Sequence, residues 1–115
     1  MLKDFKAFQI AKSVHKLCKS LKVSYYLQGQ FLRASSSIAL NIAEGSGKRT
    51  PSDQSRFYSI ALGSLREVAA IIELEEIKNP ELDKLLDQLG AILYSFSRKK
   101  TKNRTRAETA TETDV

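Results

Sequence analysis

Apolar residues return every three or four positions along most of this chain, in four blocks separated by turn-forming residues. In the first block Ala7, Ile10, Val14, Leu17 and Leu21 make one seam, widened by Phe8, Ala11 and Cys18. That spacing is one face of an α-helix, predicted over residues 4–24. After a short connection rich in aromatic and β-branched residues (Val23 to Tyr26), Leu27, Phe31, Ala34, Ile38 and Ile42 predict a second helix over 27–46. Beside this face runs a polar stripe of Gln30, Arg33, Ser37, Asn41 and Glu44. Gly45 and Gly47 are expected to end the helix, because glycine tolerates the left-handed conformation that closes a last turn. Thr50-Pro51-Ser52-Asp53 reads as the start of a third helix reaching to about residue 78, with a seam of Phe57, Ile60, Ala61, Ser64, Leu65, Val68, Ile71 and Ile72. Gly63 and Ser64 are small at mid-helix, which predicts close approach of a neighbouring helix. Asn79-Pro80 breaks the chain. The fourth helix, over 81–99, has the cleanest seam: Leu82, Leu85, Leu86, Leu89, Ile92, Leu93 and Phe96.

No strand alternation of useful length is present. Four helices of about 20 residues, each about 30 Å long, joined by short links, predict an all-α, up-down-up-down four-helix bundle over residues 1–99. From Lys100 large apolar residues nearly vanish. A segment that buries so little surface cannot offset the entropy of ordering it, so 100–115 is expected to be a disordered polar and basic tail.

The totals narrow the chemistry. At 115 residues, 42% hydrophobic and 28% charged, the chain reads as one soluble globular domain. Cys18 and His15 are each alone, so neither an intrachain disulfide nor a cysteine-based metal cage can form. Cys18 reads as a small apolar filler and His15 as an exposed or half-exposed residue without a partner. The N-terminus leads into an amphipathic pattern instead of a signal peptide, and no apolar run approaches the ~20 residues of a membrane span. A cytoplasmic setting is the expectation. Gly45-Ser46-Gly47-Lys48 follows a helix, not a strand, and lacks phosphate-loop spacing. No two-histidine set or Glu-x-x-His is present, and Glu73 with Glu76 reads as a solvated acidic face. A non-enzymatic protein without cofactor or metal is the expectation.

Charge is the remaining lead. The net charge is +6, split as 13 − 10 = +3 over residues 1–97 and 6 − 3 = +3 over 98–115. The first helix is basic, whereas the end of the third helix and the fourth helix are acidic. Those halves could pair within the bundle or head-to-tail between subunits, which can close into a ring. Lys12, Lys16, Lys19, Lys48, Arg49 and Arg56 are the candidate phosphate-contacting residues. Arg33, Asn41, Glu44, Ser64 and Glu67 are candidates for a polar network at a helix–helix seam. Glu44, on a face otherwise made of small residues, is expected to be buried against Arg56 or Arg66 and to matter for stability.

Three blocks, Phe5-Lys6-Ala7-Phe8-Gln9-Ile10-Ala11, Ser37-Ile38-Ala39-Leu40-Asn41-Ile42-Ala43-Glu44-Gly45 and residues 57–67 with Ala61-Leu62-Gly63-Ser64-Leu65-Arg66-Glu67, together resemble the 23S ribosomal-RNA intervening-sequence proteins. That family is related to the accessory variability proteins of diversity-generating retroelements. The resemblance covers residues 5–96. It implies a four-helix bundle that assembles as a homopentamer. In the retroelement branch it also implies a basic ring that binds nucleic acid and works with a reverse transcriptase. It supplies no catalytic residues. The expectation is therefore an oligomeric platform that binds RNA or DNA, with a protein-interaction adaptor docking a reverse transcriptase as the alternative.

Overall fold

The computed structural model describes residues 2–98, and the four predicted helices are all there. A 3-10 turn over Leu2–Asp4 leads into α1 (Lys6–Ser20), α2 (Tyr25–Ser46), α3 (Pro51–Leu74) and α4 (Pro80–Ser97). Each helix packs on its neighbours in the chain and α1 closes against α4, giving an up-down-up-down bundle with no strand among the described residues. The predicted tail, 100–115, and Lys99 at the end of the predicted fourth helix lie outside the described residues.

Helix ends depart from the periodicity where a side chain does better off the helix. α1 stops four residues early. Leu21 turns to extended backbone (φ −91°, ψ 145°), so that Leu21 and Val23 face inward while Lys22 and Ser24 face out. This is the two-residue alternation of an extended chain. At the start of α2 the Ser24 backbone N–H and hydroxyl both donate to the Glu75 carboxylate, at 2.6 and 3.0 Å. A carboxylate from the far end of α3 thus sits at the N-terminus of α2, where negative charge is favoured. α3 begins with Pro51 in its first position and Thr50 Oγ1 accepting from the Asp53 N–H at 3.1 Å.

The C-terminus of α3 comes at Leu74, short of the predicted residue 78. Glu76 takes the left-handed conformation at φ 52°, the Glu76 N–H donates to the Glu73 carbonyl, and the Ile77 N–H donates to the Ile72 carbonyl. This paired closure is the Schellman arrangement. It turns Ile77 back onto the core, which a continued helix would not do. Asn79 Oδ1 then caps α4 through the Leu82 N–H at 3.0 Å.

The centre of the core holds Phe31, Ile38 and Ile42 from α2, Val14 and Cys18 from α1, Val68 from α3, and Leu82, Leu89 and Leu93 from α4, all fully buried. Burial of each large aliphatic or aromatic side chain stabilises by roughly 1.5–3 kcal/mol. The predicted seam of α3 needs one correction. Tyr58 and Leu62 are buried, whereas Ile60 is 43% exposed and Phe57 only half-buried. α3 packs on both α2 and α4, so its buried surface is wider than a single stripe and rotated from the predicted line.

Of the two glycines expected to end α2, Gly47 does so as its C-cap, but at φ −94° and not in the left-handed conformation, and the helix runs through Gly45. Gly45 is needed for space. A Cβ there would lie 2.8 Å from Cε1 of Tyr58, whose ring packs on the α2 backbone. The same ring meets Phe96 at 5.1 Å, and Phe96 stacks on Phe5 at 6.0 Å, so three aromatics seal this end of the bundle. Gly63 is the reverse case. Among the described residues no neighbouring helix would come within 4 Å of a Cβ there, and the expected close approach is made at Ser64, which meets Ser37 of α2.

Three substitutions probe these positions. Gly45→Ala should lower the thermal midpoint, because an overpacking cost of about 1–3 kcal/mol exceeds the ~1 kcal/mol gained in helix propensity. Gly63→Ala, with the propensity gain and no clash, should raise it. Glu76→Gly should also stabilise, by roughly 1 kcal/mol, since a left-handed residue with a Cβ carries a cost that glycine does not. Denaturant titration of the three variants against the parent chain measures all of these.

Candidate nucleic-acid interface

Between Asp4 and Glu44 the chain carries no acidic residue, whereas Lys6, Lys12, Lys16, Lys19, Lys22 and Arg33 fall in that span. α1 and α2 pack side by side and contribute only cations over this span, although Lys16 shares a pocket with Glu81 of α4. Lys12, Lys16 and Lys19 are exposed on α1, and none of them has an ion-pair partner among the described residues. Lys12 also borders a shallow, mainly apolar groove between α1 and α2, about 400 Å³ in volume, with Phe8, His15, Ser36, Ala39 and Leu40.

The other three candidate cations stand elsewhere. Lys48, Arg49 and Arg56 surround the α2–α3 turn, at the opposite end of α2 from the α1–α2 connection that Lys19 approaches. Lys48 Nζ lies 5.0 Å and the Arg56 guanidinium 4.6 Å from the centre of the Phe57 ring. The ring gathers both cations by cation–π attraction. Arg49 is exposed beside them. The six candidates therefore form two groups, one along α1 and one around Phe57.

The predicted polar network divides as well. Asn41 Nδ2 donates to the Ser37 carbonyl at 2.9 Å and to the Ser37 hydroxyl at 3.0 Å, and Ser37 meets Ser64 across the α2–α3 seam at 2.8 Å. Glu67 accepts from Gln30 at 2.8 Å, farther along the same seam. Arg33 folds along α2 instead, its guanidinium 3.8 Å from where a Cβ of Gly29 would stand. Glu44 corrects the expectation most. Its side chain is 58% exposed and pairs with Lys48 one turn on, at 3.3 Å, and neither Arg56 nor Arg66 reaches it. Ser37 and Gly45 meet α3, whereas Glu44 lies on the open side. Such an exposed pair is worth only about 0.3–0.5 kcal/mol.

The periodicity missed a buried polar group under the cationic surface. Ser35 is wholly buried, donates to the Leu32 carbonyl at 3.1 Å, and meets His15 Nδ1 at 2.6 Å. Cys18, one turn along α1 from His15, is also buried. Burial pushes the Cys18 thiol up to about 11, with the Ser35 hydroxyl opposing the shift. That makes it a poor nucleophile at neutral pH. Burial, and then the Lys19 charge, hold the His15 imidazole below its ordinary value. The signal that could have found this group is the three-residue spacing of His15 and Cys18, which puts both beside the apolar seam of α1. No group of three or more His, Cys, Asp or Glu residues that could hold a metal ion occurs among the described residues. No described helix is long and apolar enough to cross a membrane.

The family model of the 23S rRNA-intervening sequence protein matches residues 5–95. The chain belongs to that family. The match spans all four helices from Phe5 almost to the end of α4. No curated protein and no solved structure matches it.

His15 gives the chain a pH signature of known sign. Its folded pKa lies below the ordinary value of 6.5, so folding disfavours the imidazolium. The stability it confers is complete above about pH 6.5 and is lost as pH falls below that value. His15→Gln, which keeps a hydrogen-bonding group near Ser35, should therefore lose less stability than the parent between pH 7.5 and pH 5. Urea titrations at several pH values check this.

Proposed function

We propose that this protein is a non-enzymatic bundle that assembles with copies of itself, as a homopentamer, and binds RNA or DNA through its basic surface. The observation that carries the reading is the acid-free span from Phe5 to Ala43, whose lysines are exposed and unpaired on α1. A surface of one charge attracts polyanions and draws affinity from counterion release. The name of the family, which refers to a ribosomal-RNA insert, agrees with a nucleic-acid partner. Self-association is supported by apolar surface that a lone chain leaves uncovered: Leu40 at the α1–α2 groove, and Ile60 and Leu74 on α3. The same apolar surface is what favours the second reading, an adaptor that docks a protein such as a reverse transcriptase.

Fluorescence anisotropy with a labelled 20-nucleotide RNA, at rising salt, tests the first reading. Affinity should fall steeply with salt. Replacing Lys12, Lys16 and Lys19 together by Gln should reduce the logarithmic salt slope by about 2, at ~0.7 for each single-strand phosphate that is no longer neutralised. Light scattering should give five times the protomer mass. A pentamer that binds no nucleic acid at low salt would turn the choice to the adaptor.

A further inference from the structure

The two most exposed aromatic side chains of the molecule stand next to each other at the start of α2. Tyr25 is 97% and Tyr26 78% exposed, in the first turn of α2. Exposed tyrosines on a frayed helix end would mean little. This end is held, because the Ser24 N–H and hydroxyl are both bonded to the Glu75 carboxylate of α3. The turn before it is pinned by Val23, which is buried in the core.

Two cations lie close in sequence: Lys22 three residues before Tyr25, in the extended connection, and Lys19 in the last turn of α1. On the same side of α2, Gly29 and Arg33 follow Tyr26 at three and seven residues, spacings that share one helix face. Gly29 presents no side chain, and the Arg33 guanidinium folds back over it. One face of α2 therefore offers a phenol ring, a flat gap and a planar cation in succession. Two carboxylates reach the same region, Glu75 at Ser24 and Glu67 at Gln30; their hydrogen bonds come from neutral donors, so both keep their charge and offset part of that of Lys19, Lys22 and Arg33.

Planar π faces and a guanidinium, carried on an anchored helix start with lysines close in sequence, are the elements of a base-stacking platform. Duplex nucleic acid keeps its base faces covered, so only an unpaired strand could use them. We propose that Tyr25, Tyr26 and Arg33 form a stacking site for the bases of single-stranded nucleic acid, whose phosphates are drawn in by Lys19 and Lys22. This rests on the nucleic-acid reading above and adds to it the strandedness of the ligand and the residues that read it.

The test measures anisotropy of the full chain with a fluorescein-labelled 20-nucleotide single strand and with the corresponding 20-base-pair duplex. The parent should favour the single strand. Changing Tyr25 and Tyr26 together to Ala should weaken single-strand binding by roughly ten-fold or more, as removal of a stacking ring does elsewhere, and leave duplex binding and the salt slope unaltered. Changing both to Phe, which retains the ring, should restore most of the affinity. Helical circular dichroism of each variant checks that the bundle is intact. If the Ala pair binds as the parent does while the Lys12/Lys16/Lys19 variant does not, the stacking site is refuted and the basic platform stands. No binding of either probe at low salt overturns both. Tyrosine-dependent binding of polyglutamate that matches the single strand would overturn it in favour of an acidic protein.

Discussion

The bundle depends on the close approach of α2 to α3. This is the most extensive helix pair in the molecule, and small side chains make it so. Ser37 and Ser64 meet hydroxyl to hydroxyl, Asn41 bonds back to Ser37, and at Gly45 the Tyr58 ring rests where a Cβ would otherwise be. Hydroxyls facing each other at 2.8 Å satisfy their hydrogen bonds without holding the helices apart. Once Tyr58 is seated on Gly45, its contact with Phe96 brings in α4, and Phe5 stacks on Phe96 to fix the start of α1. A single missing Cβ thereby governs the packing of one whole end.

The same seam decides where charge is left over. Glu67 and Glu75, both on or just past α3, are turned towards α2 and engaged by Gln30 and Ser24. Glu73, Glu76, Glu81, Asp83 and Asp87 lie around the end of α3 and on α4. α1 and α2 contribute none before Glu44, so the surface they share keeps its positive charge. The internal pairing of basic α1 with acidic α4 that the charge pattern allowed is not made: no lysine of α1 forms an ion pair among the described residues. That leaves the cationic face available to something outside the chain, which is the physical content of the proposed function.

The helices and nearly all of the core could be read from periodicity, because burial along a helix repeats every three to four residues whatever the partner. Ala7, Val14, Phe31, Ile38, Leu82 and Leu89 needed nothing more. Periodicity fails where one residue answers to a specific neighbour. Gly45 looks like a helix stop until the Tyr58 ring is seen on it. Glu44 looks buried because its neighbours in sequence are small, yet it lies on the open side of α2. His15 looks solitary because its partner, Ser35, lies twenty residues away on another helix. Likewise the early ends of α1 and α3 follow from Val23 and Ile77 turning inward, a gain set by the core and not by local propensity. The charge excess of α1 could be read directly, but its division into two groups could not, since sequence order does not reveal that the Phe57 ring gathers Lys48 and Arg56.

That division sets a length on any ligand that would use both groups. α2 has 22 residues and so spans about 33 Å between the α1–α2 connection and the α2–α3 turn. A strand with duplex-like rise of ~3.4 Å per nucleotide covers that span in about ten nucleotides, and a more extended single strand in fewer. Tyr25 and Tyr26 stand at one end of this path, and Lys48, Arg49 and Arg56 at the other. Lys12 lies between them along the α1–α2 groove. A strand much shorter than this could engage one group only and would leave the other idle. If copies assemble, the groove must be shared between a neighbouring chain and the strand. Lys12 then becomes the residue whose exposure separates the two uses of that surface: protein against protein buries it, whereas protein against phosphate keeps its charge at work.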